Sequence, residues 1–387
     1  MLFRSMPSVA LIINLAGFAI ASAALVYLLF AIYCVSRFQI HREGTDADLP
    51  PATLLKPICG MDPGLLDNLR TFCTQDYPLY QIIFGLANPD DPAMAMVRQV
   101  MKEFPHLDMT LVINNKVIGT NLKVSNLANM YPLAKHEVLV ISDSDMRVDE
   151  NYLRSVVTPL LDKNVGAVTC LYKGVPAVRR ITSRLACLFI NEWFLPSVLV
   201  SRALREIAFC LGATMVIRKD LLVKIGGFER LASYLADDYM LGKLVSAQGF
   251  KVVLAPCVIT NIIEESSLRD TFRHELRWAR TVCNVQPVGY AFSFITYTIP
   301  MSLLFCAVTT SLTLGVFMLV SSIIVRLWMH GVARRKLALA GSPVPWLLPL
   351  RDLMCFTVWA VSFLGRKVSW RNHSFSLQSD GHMALKE

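Results

Sequence analysis

The sequence predicts an α/β domain with a mixed, mainly parallel sheet, joined at both ends to helices that cross a membrane. Three observations support this. Between residues 49 and 286, short apolar runs alternate with helical periods, the pattern of strands connected by helices. Apolar runs longer than the roughly 20 residues a bilayer requires lie before and after that region. The 387 residues are 54% hydrophobic and 17% charged, with a mean hydropathy of +0.47, and they are too many for one small domain.

The net charge of +9 does not indicate nucleic acid, because the basic residues gather beside apolar runs and no DNA- or RNA-binding signature accompanies them. The ten cysteines are scattered without a C-x-x-C pair, so neither zinc nor a disulfide framework is expected. Reduced and mostly buried thiols fit a protein facing the cytosol.

Residues 9–35 form the first apolar run, too long for the core of a cleaved signal peptide. It reads as an anchor within a segment 1–36. Arg37, His41 and Arg42 follow it, against Arg4 before it, which places the bulk of the chain on the cytoplasmic side. A soluble-type domain of residues 37–287 comes next. Strands are expected at 52–57, 80–86, 109–113 and 138–141, with helices at 65–73 and 92–103. In such a sheet ligands bind beyond the carboxyl ends of the strands, where Asp90, Asp91 and Asp143 fall. No Gly-x-Gly-x-x-Gly or Walker-type loop is present, which excludes dinucleotide and ATP sites of those kinds.

The strand at 138–141 runs into Asp143-Ser144-Asp145. In extended chain the two acids share a face and Ser144 points opposite. Two carboxylates there suit Mg²⁺ or Mn²⁺, ions held by one or two carboxylates plus substrate phosphates. The alternative is an Asp-rich turn without a ligand.

Residues 179–208 are apolar but carry five arginines and, mid-segment, Asn191, Glu192, Trp193 and Pro196. They read as a poor span: either an amphipathic element at the membrane interface or a buried helix pair. A loop and strand follow at 209–218, then a helix stop at Gly226-Gly227. A further helix opens with Asp237 and Asp238, where the helix dipole alone favours acids. On the helix at 268–280, Arg269, Arg273, Arg277 and Arg280 form one side, while Leu268, Phe272, Leu276 and Ala279 form the other. Such a cationic ridge calls for phosphates, acids or headgroups. Residues 288–326 read as two closely joined spans. Residues 327–387 hold a basic loop, an apolar stretch at 346–365 and a loose polar tail. Pro343, Pro345, Pro349 and the Arg351-Asp352 pair make that stretch a re-entrant or interfacial hairpin, or else a fourth crossing.

Asp90-Asp91, Asp143-x-Asp145, Asp237-Asp238 and Arg277-Trp278, in that order before paired apolar runs, resemble the ceramide glucosyltransferase family. Residues 54–63, 88–93 and 212–220 are also similar to family sequence, so the likeness covers nearly the whole chain. Two stretches, 191–197 and 274–281, are most similar to the bacterial hopanoid-biosynthesis-associated branch. His274 stands where the family usually has Gln or Arg.

The resemblance implies a GT-A domain in a bacterial inner membrane. It would transfer a sugar, with inversion, from a UDP-sugar to a lipid: N-acetylglucosamine to bacteriohopanetetrol in the hopanoid branch, glucose to ceramide in the wider family. It assigns Asp238, or its neighbour Asp237, as the base and Asp145 with Asp143 as metal ligands. Arg277 would meet a phosphate, and Trp278 would pack on the sugar or acceptor. Asp91 or Asp90 would contact the nucleotide, with Lys56, Lys123 and His274 counted in the donor-binding set. A processive polysaccharide synthase and a catalytically idle lipid-binding scaffold are the rival readings.

Overall fold

The runs read as strands assemble into one sheet in a computed structural model that describes residues 9–40, 48–365, 367–370, 373–378 and 381–385. Arg4, His41, Arg42, Arg366 and Arg371 lie outside the described residues. The chain divides into a sheet unit (Gln39–Cys187, Ser201–Ser266 and Lys367–Glu387) and a helical unit (Met1–Phe38, Leu188–Val200 and Ser267–Arg366).

In the sheet unit the strands are β1 (Ala52–Pro57), β2 (Tyr80–Leu86), β3 (Asp108–Ile113), β4 (Val138–Ser142), β5 (Met146–Arg147), β6 (Val165–Pro176), β7 (Thr214–Arg218) and β8 (Lys251–Ile263). Their order is β3-β2-β1-β4-β7-β6-β8-β5. The run β3 to β4 is parallel, as is the β6–β8 pair, while β7 lies antiparallel between those two sets. Every residue of β1, β2 and β4 is buried, as strands covered on both faces require. Leu65, Leu69, Phe72, Val97 and Val100 from two helices pack with Leu54, Ile82, Phe84 and Val140 in the main core. Fully burying each such side chain contributes about 1.5–3 kcal/mol.

The topology builds an open edge. β1 and β4 are parallel, so Lys56 and Ser142 end side by side. Antiparallel pairing of Ser142 with Thr214 then brings the residues just before β7 to the same edge.

Two expectations are corrected in this unit. Asp143-Ser144-Asp145 is a turn, closed by the Met146 amide on the Asp143 carbonyl, so the two acids are not on one extended face. Ser144 is buried and donates to Asp62 Oδ2 (2.5 Å), a bond that turns the chain inward. The tail is not loose where it is described: Lys367–Trp370, His373–Leu377 and Met383–Leu385 form an antiparallel sheet. Val368, Phe375 and Met383 bury against Leu235, a hydrophobic reason for the tail to order.

In the helical unit, Val9–Arg37 and Leu312–Lys336 are long and apolar enough to cross a membrane. Ile181–Leu204, divided between the units, also passes on length and composition, but 72% of its apolar window is buried within the protein, in keeping with the buried alternative. It is one helical run rather than a pair, with a π turn at Ile190–Phe194. Where two joined spans are expected at 288–326, the structure has a broken pair, Pro287–Thr296 and Thr298–Val308, bent by 71°, followed by the span Leu312–Lys336, which runs past 326. The stretch 346–365 is a single helix, Leu348–Ser362, and not a hairpin. Arg351 and Asp352 do not interrupt it, because both are buried against charged partners.

Candidate active site

Asp143 follows β4 directly, and its carboxylate pairs with Lys123 (Oδ1 to Nζ, 2.5 Å). Lys123 stands in the first turn of the helix Leu122–Met130, which begins at Asn121 because the Asn121 side chain accepts from the Val124 amide (3.1 Å). The same side chain donates to the Tyr234 carbonyl (2.8 Å) and to Asp237 Oδ1 (3.2 Å). One cap therefore ties Lys123 to the Asp237–Ala247 helix, whose first two residues are the paired acids.

Gly212 marks the point of convergence. A Cβ there would lie 3.3 Å from Asp238 Oδ2 and 3.7 Å from both Asp143 Oδ2 and Lys123 Nζ. Lys123 also donates to the Gly212 carbonyl (3.4 Å). A side chain at this position would fill the space the three groups face.

Asp145 occupies the other end of the turn. Its Oδ2 accepts from Asn261 Nδ2 (2.8 Å), on β8, while its buried Oδ1 has no hydrogen-bond partner. Behind the turn Lys56 is fully buried, donates to the Asp143 carbonyl (2.5 Å) and lies 3.6 Å over the Phe72 ring. Sequence reasoning counted Lys56 with the donor-binding set. Its burial instead makes it a brace for the turn, with no surface to offer a donor.

The electrostatics reflect crowding of acids in a poorly hydrated place. Burial, then the charges of Asp143 and Asp62, push Asp145 up to about 7. Burial, then Asp237, push Asp238 up to about 6, against the pull of Lys123. Asp237 is also raised, chiefly by burial, with Lys123 and Asn121 opposing. Burial lowers Lys56 to about 7 even though Asp143, Asp145 and Asp62 favour its charge. For Lys123 burial works against the charge, but Asp143 and Asp237 outweigh it and its pKa is raised.

Of the other predicted residues, Asp90 and Asp91 belong to the sheet unit and His274, Arg277 and Trp278 to the helical unit. Asp91 accepts from the Gly60 amide (3.1 and 2.9 Å) and the Ala93 amide (2.9 Å), so it shapes the loop after β1 and starts the next helix. Asp90 is exposed. His274, Arg277 and Trp278 belong to the helical unit, on Leu268–Val285, which Ser267 caps. The buried residues of that helix are Thr271 and Glu275, and Leu268 is 53% exposed, so the apolar side expected from periodicity is not the one it buries. The His274 ring lies 4.6 Å from Trp278. Trp278 stacks on Phe189 (5.9 Å, 24°), Phe189 on Trp193 (5.1 Å, 19°) and Trp193 on Tyr297 (5.7 Å, 2°).

Asn121, Gly212, Asn261 and Asp62 were missed by sequence reasoning. Asn121, ahead of a helical run, carries a capping signal that could have found it. Asn261 carries none, being one polar residue in a long strand.

The family model described as Glycosyl transferase family 21 matches residues 16–383. Ceramide glucosyltransferase 3 of Caenorhabditis elegans is 23% identical over 383 residues, 94% of this chain and 82% of that one. Ceramide glucosyltransferase 1 of the same organism is 25% identical over 231 residues, 60% of this chain and 49% of that one. Among solved structures, the mannosyltransferase PcManGT from Pyrobaculum calidifontis, in complex with GDP-Man and Mn²⁺, is similar with a TM-score of 0.52. At 16% identity it covers 91% of this chain and 99% of its own, a likeness of fold.

Proposed function

The chain belongs to glycosyl transferase family 21, and we propose that it moves a sugar from a UDP-sugar onto a hydroxyl of a membrane lipid, inverting the anomeric carbon. The observation that carries this reading is the meeting of Asp143, Asp238 and Lys123 around Gly212. An acceptor hydroxyl attacks only as its proton leaves, and one placed carboxylate can take it. Asp238 suits that role better than Asp237, which is buried and engaged by Asn121. No second carboxylate is singled out as a nucleophile, so a single displacement is the simpler course.

A diphosphate leaving group gains charge as the bond breaks and needs fixed positive partners. Lys123 is one, and Arg277, a planar and permanent cation, is the other. Asp145 and Asp143 would hold Mg²⁺ or Mn²⁺. Among the described residues no three His, Cys, Asp or Glu side chains form a metal cage. A hard cation that shares its shell with phosphate oxygens does not need one, and Asp145 Oδ1 is a buried acceptor still lacking a partner. When bound, such an ion neutralises charge on the departing diphosphate. Asp90 or Asp91 would contact the nucleotide and Trp278 the sugar or acceptor.

For the finer assignment, N-acetylglucosamine and bacteriohopanetetrol come first, on the likeness of residues 191–197 and 274–281 to the hopanoid branch. Glucose and ceramide are the second reading, favoured by the names of the curated relatives. The setting proposed is a bacterial inner membrane with the sheet unit on the cytoplasmic side. Purified protein in lipid nanodiscs, given labelled UDP-N-acetylglucosamine or UDP-glucose with each lipid and Mn²⁺ or Mg²⁺, tests the proposal. One glycolipid of inverted anomeric configuration is expected. A retained configuration, or no product with any pair, defeats it.

A further inference from the structure

Glu275 lies between His274 and Arg277 in sequence and is only 4% exposed. Its Oε1 and Oε2 accept from Arg351 Nη1 (2.8 Å) and Nη2 (2.5 Å), a two-point pairing. Arg351, on Leu348–Ser362, is 1% exposed, and its Nε and Nη2 also reach Cys355 Sγ at 3.3 and 3.2 Å. Its guanidinium carbon sits 5.4 Å from the centre of the Phe189 ring, the same ring on which Trp278 stacks. One side chain therefore holds the Leu268–Val285 helix through Glu275 and backs the surface that seats Trp278.

Stability alone does not account for this pair. Removing two charges from water is costly, and apolar residues of similar volume are often as stable or more so. A forked pair does what methylene contacts do not: it fixes rotation as well as distance. Two residues beyond Glu275 is a turn of about 200° around a helix. With Glu275 anchored inward, Arg277 is carried to the opposite side.

We propose that the Glu275–Arg351 pair is a positioning device that sets the rotation of the Leu268–Val285 helix, and with it the direction of Arg277 and the seat of Trp278. The inference rests on the reading of Arg277 as a diphosphate partner given above.

The test uses the full chain in nanodiscs and measures kcat, the KM for the UDP-sugar, inhibition by UDP and thermal unfolding. Glu275→Leu combined with Arg351→Met replaces the pair with apolar volume. It is expected to unfold no earlier than the parent, while kcat/KM for the donor falls on the order of a hundredfold and UDP inhibition weakens. Arg351→Lys keeps the charge, loses the fork and is expected to raise donor KM in the same direction by a smaller factor. Should the double variant fail to fold, Arg351→Lys decides alone. Parental donor KM and UDP inhibition in a folded variant overturn the proposal. Arg277→Ala, measured alongside, separates the two levels. If it leaves donor KM unchanged, the underlying reading fails too. If it raises donor KM while the pair variants behave as parent, only this inference is lost.

Discussion

The protein buries charged side chains in two places, and their bonding differs. In the helical unit Glu192 accepts from Arg326 (2.8 Å) and His330 (2.6 Å), Asp352 accepts from Arg326 through both oxygens (3.1 Å each), and Glu275 accepts twice from Arg351. All six carboxylate oxygens are bonded. In the sheet unit Asp62, Asp143, Asp145, Asp237 and Asp238 crowd around Lys56 and Lys123, and Asp145 Oδ1 has no partner. Carboxylates bonded through every oxygen suit a scaffold, although the buried His330 Nε2 in the same network has no partner. An acid cluster with an unmatched buried oxygen is poised for a positive or hydroxylic partner. The acids named here thus have every oxygen bonded in one unit and one buried oxygen unmatched in the other.

The widest test of that contrast is Asp238→Asn. If Asp238 is the base, kcat falls about 10²–10⁴-fold with donor KM little changed, read from labelled glycolipid formed per minute. Retained kcat would make the acid cluster one more scaffold. The complementary variant is Arg326→Met, which strands Glu192 and Asp352 without their shared cation. Removing one partner of a buried pair costs about 3–5 kcal/mol, so thermal unfolding in detergent should come markedly earlier. An unchanged transition would mean that the helical network contributes little.

A finer distinction comes from Asn261→Ala, which frees Asp145 Oδ2 from the bond that orients it. Loss of such a partner typically weakens metal binding about 10–100-fold, so half-maximal activity should need that much more Mn²⁺. No shift would place the ion elsewhere. The smallest expected effect is in pH dependence. A base acts as its carboxylate, and Asp238 is pushed up to about 6, first by burial and then by Asp237. Activity should therefore rise with pH through about 6 and level off above it. Asp237→Asn removes a neighbouring negative charge and should move that limb to lower pH. A limb that stays or moves upward would detach it from Asp238.

Much of the sheet unit was legible locally. β1 and β2 begin and end where their apolar runs do, and the helix at Ala93–Glu103 opens just after Pro92. The apolar length of Val9–Arg37 likewise announces a helix able to cross a membrane. These features are legible because hydropathy and period belong to contiguous residues. The strand that ends just before Asp143 was legible as well.

What contiguous residues could not reveal was which distant group each polar side chain would meet. Ser144 finds Asp62 82 residues away, a partner that the local turn signal of Asp143-Ser144-Asp145 does not name. Glu192, Arg351 and Asp352 looked like faults in apolar segments. Arg326 answers Glu192 from 134 residues away, and Glu275 answers Arg351 from 76. The sequence by itself determined where apolar surface had to be buried and which carboxylates were available. Only the tertiary structure decided which charges were neutralised and which buried oxygen was left unmatched, because the cost of a buried charge depends on its neighbours in space.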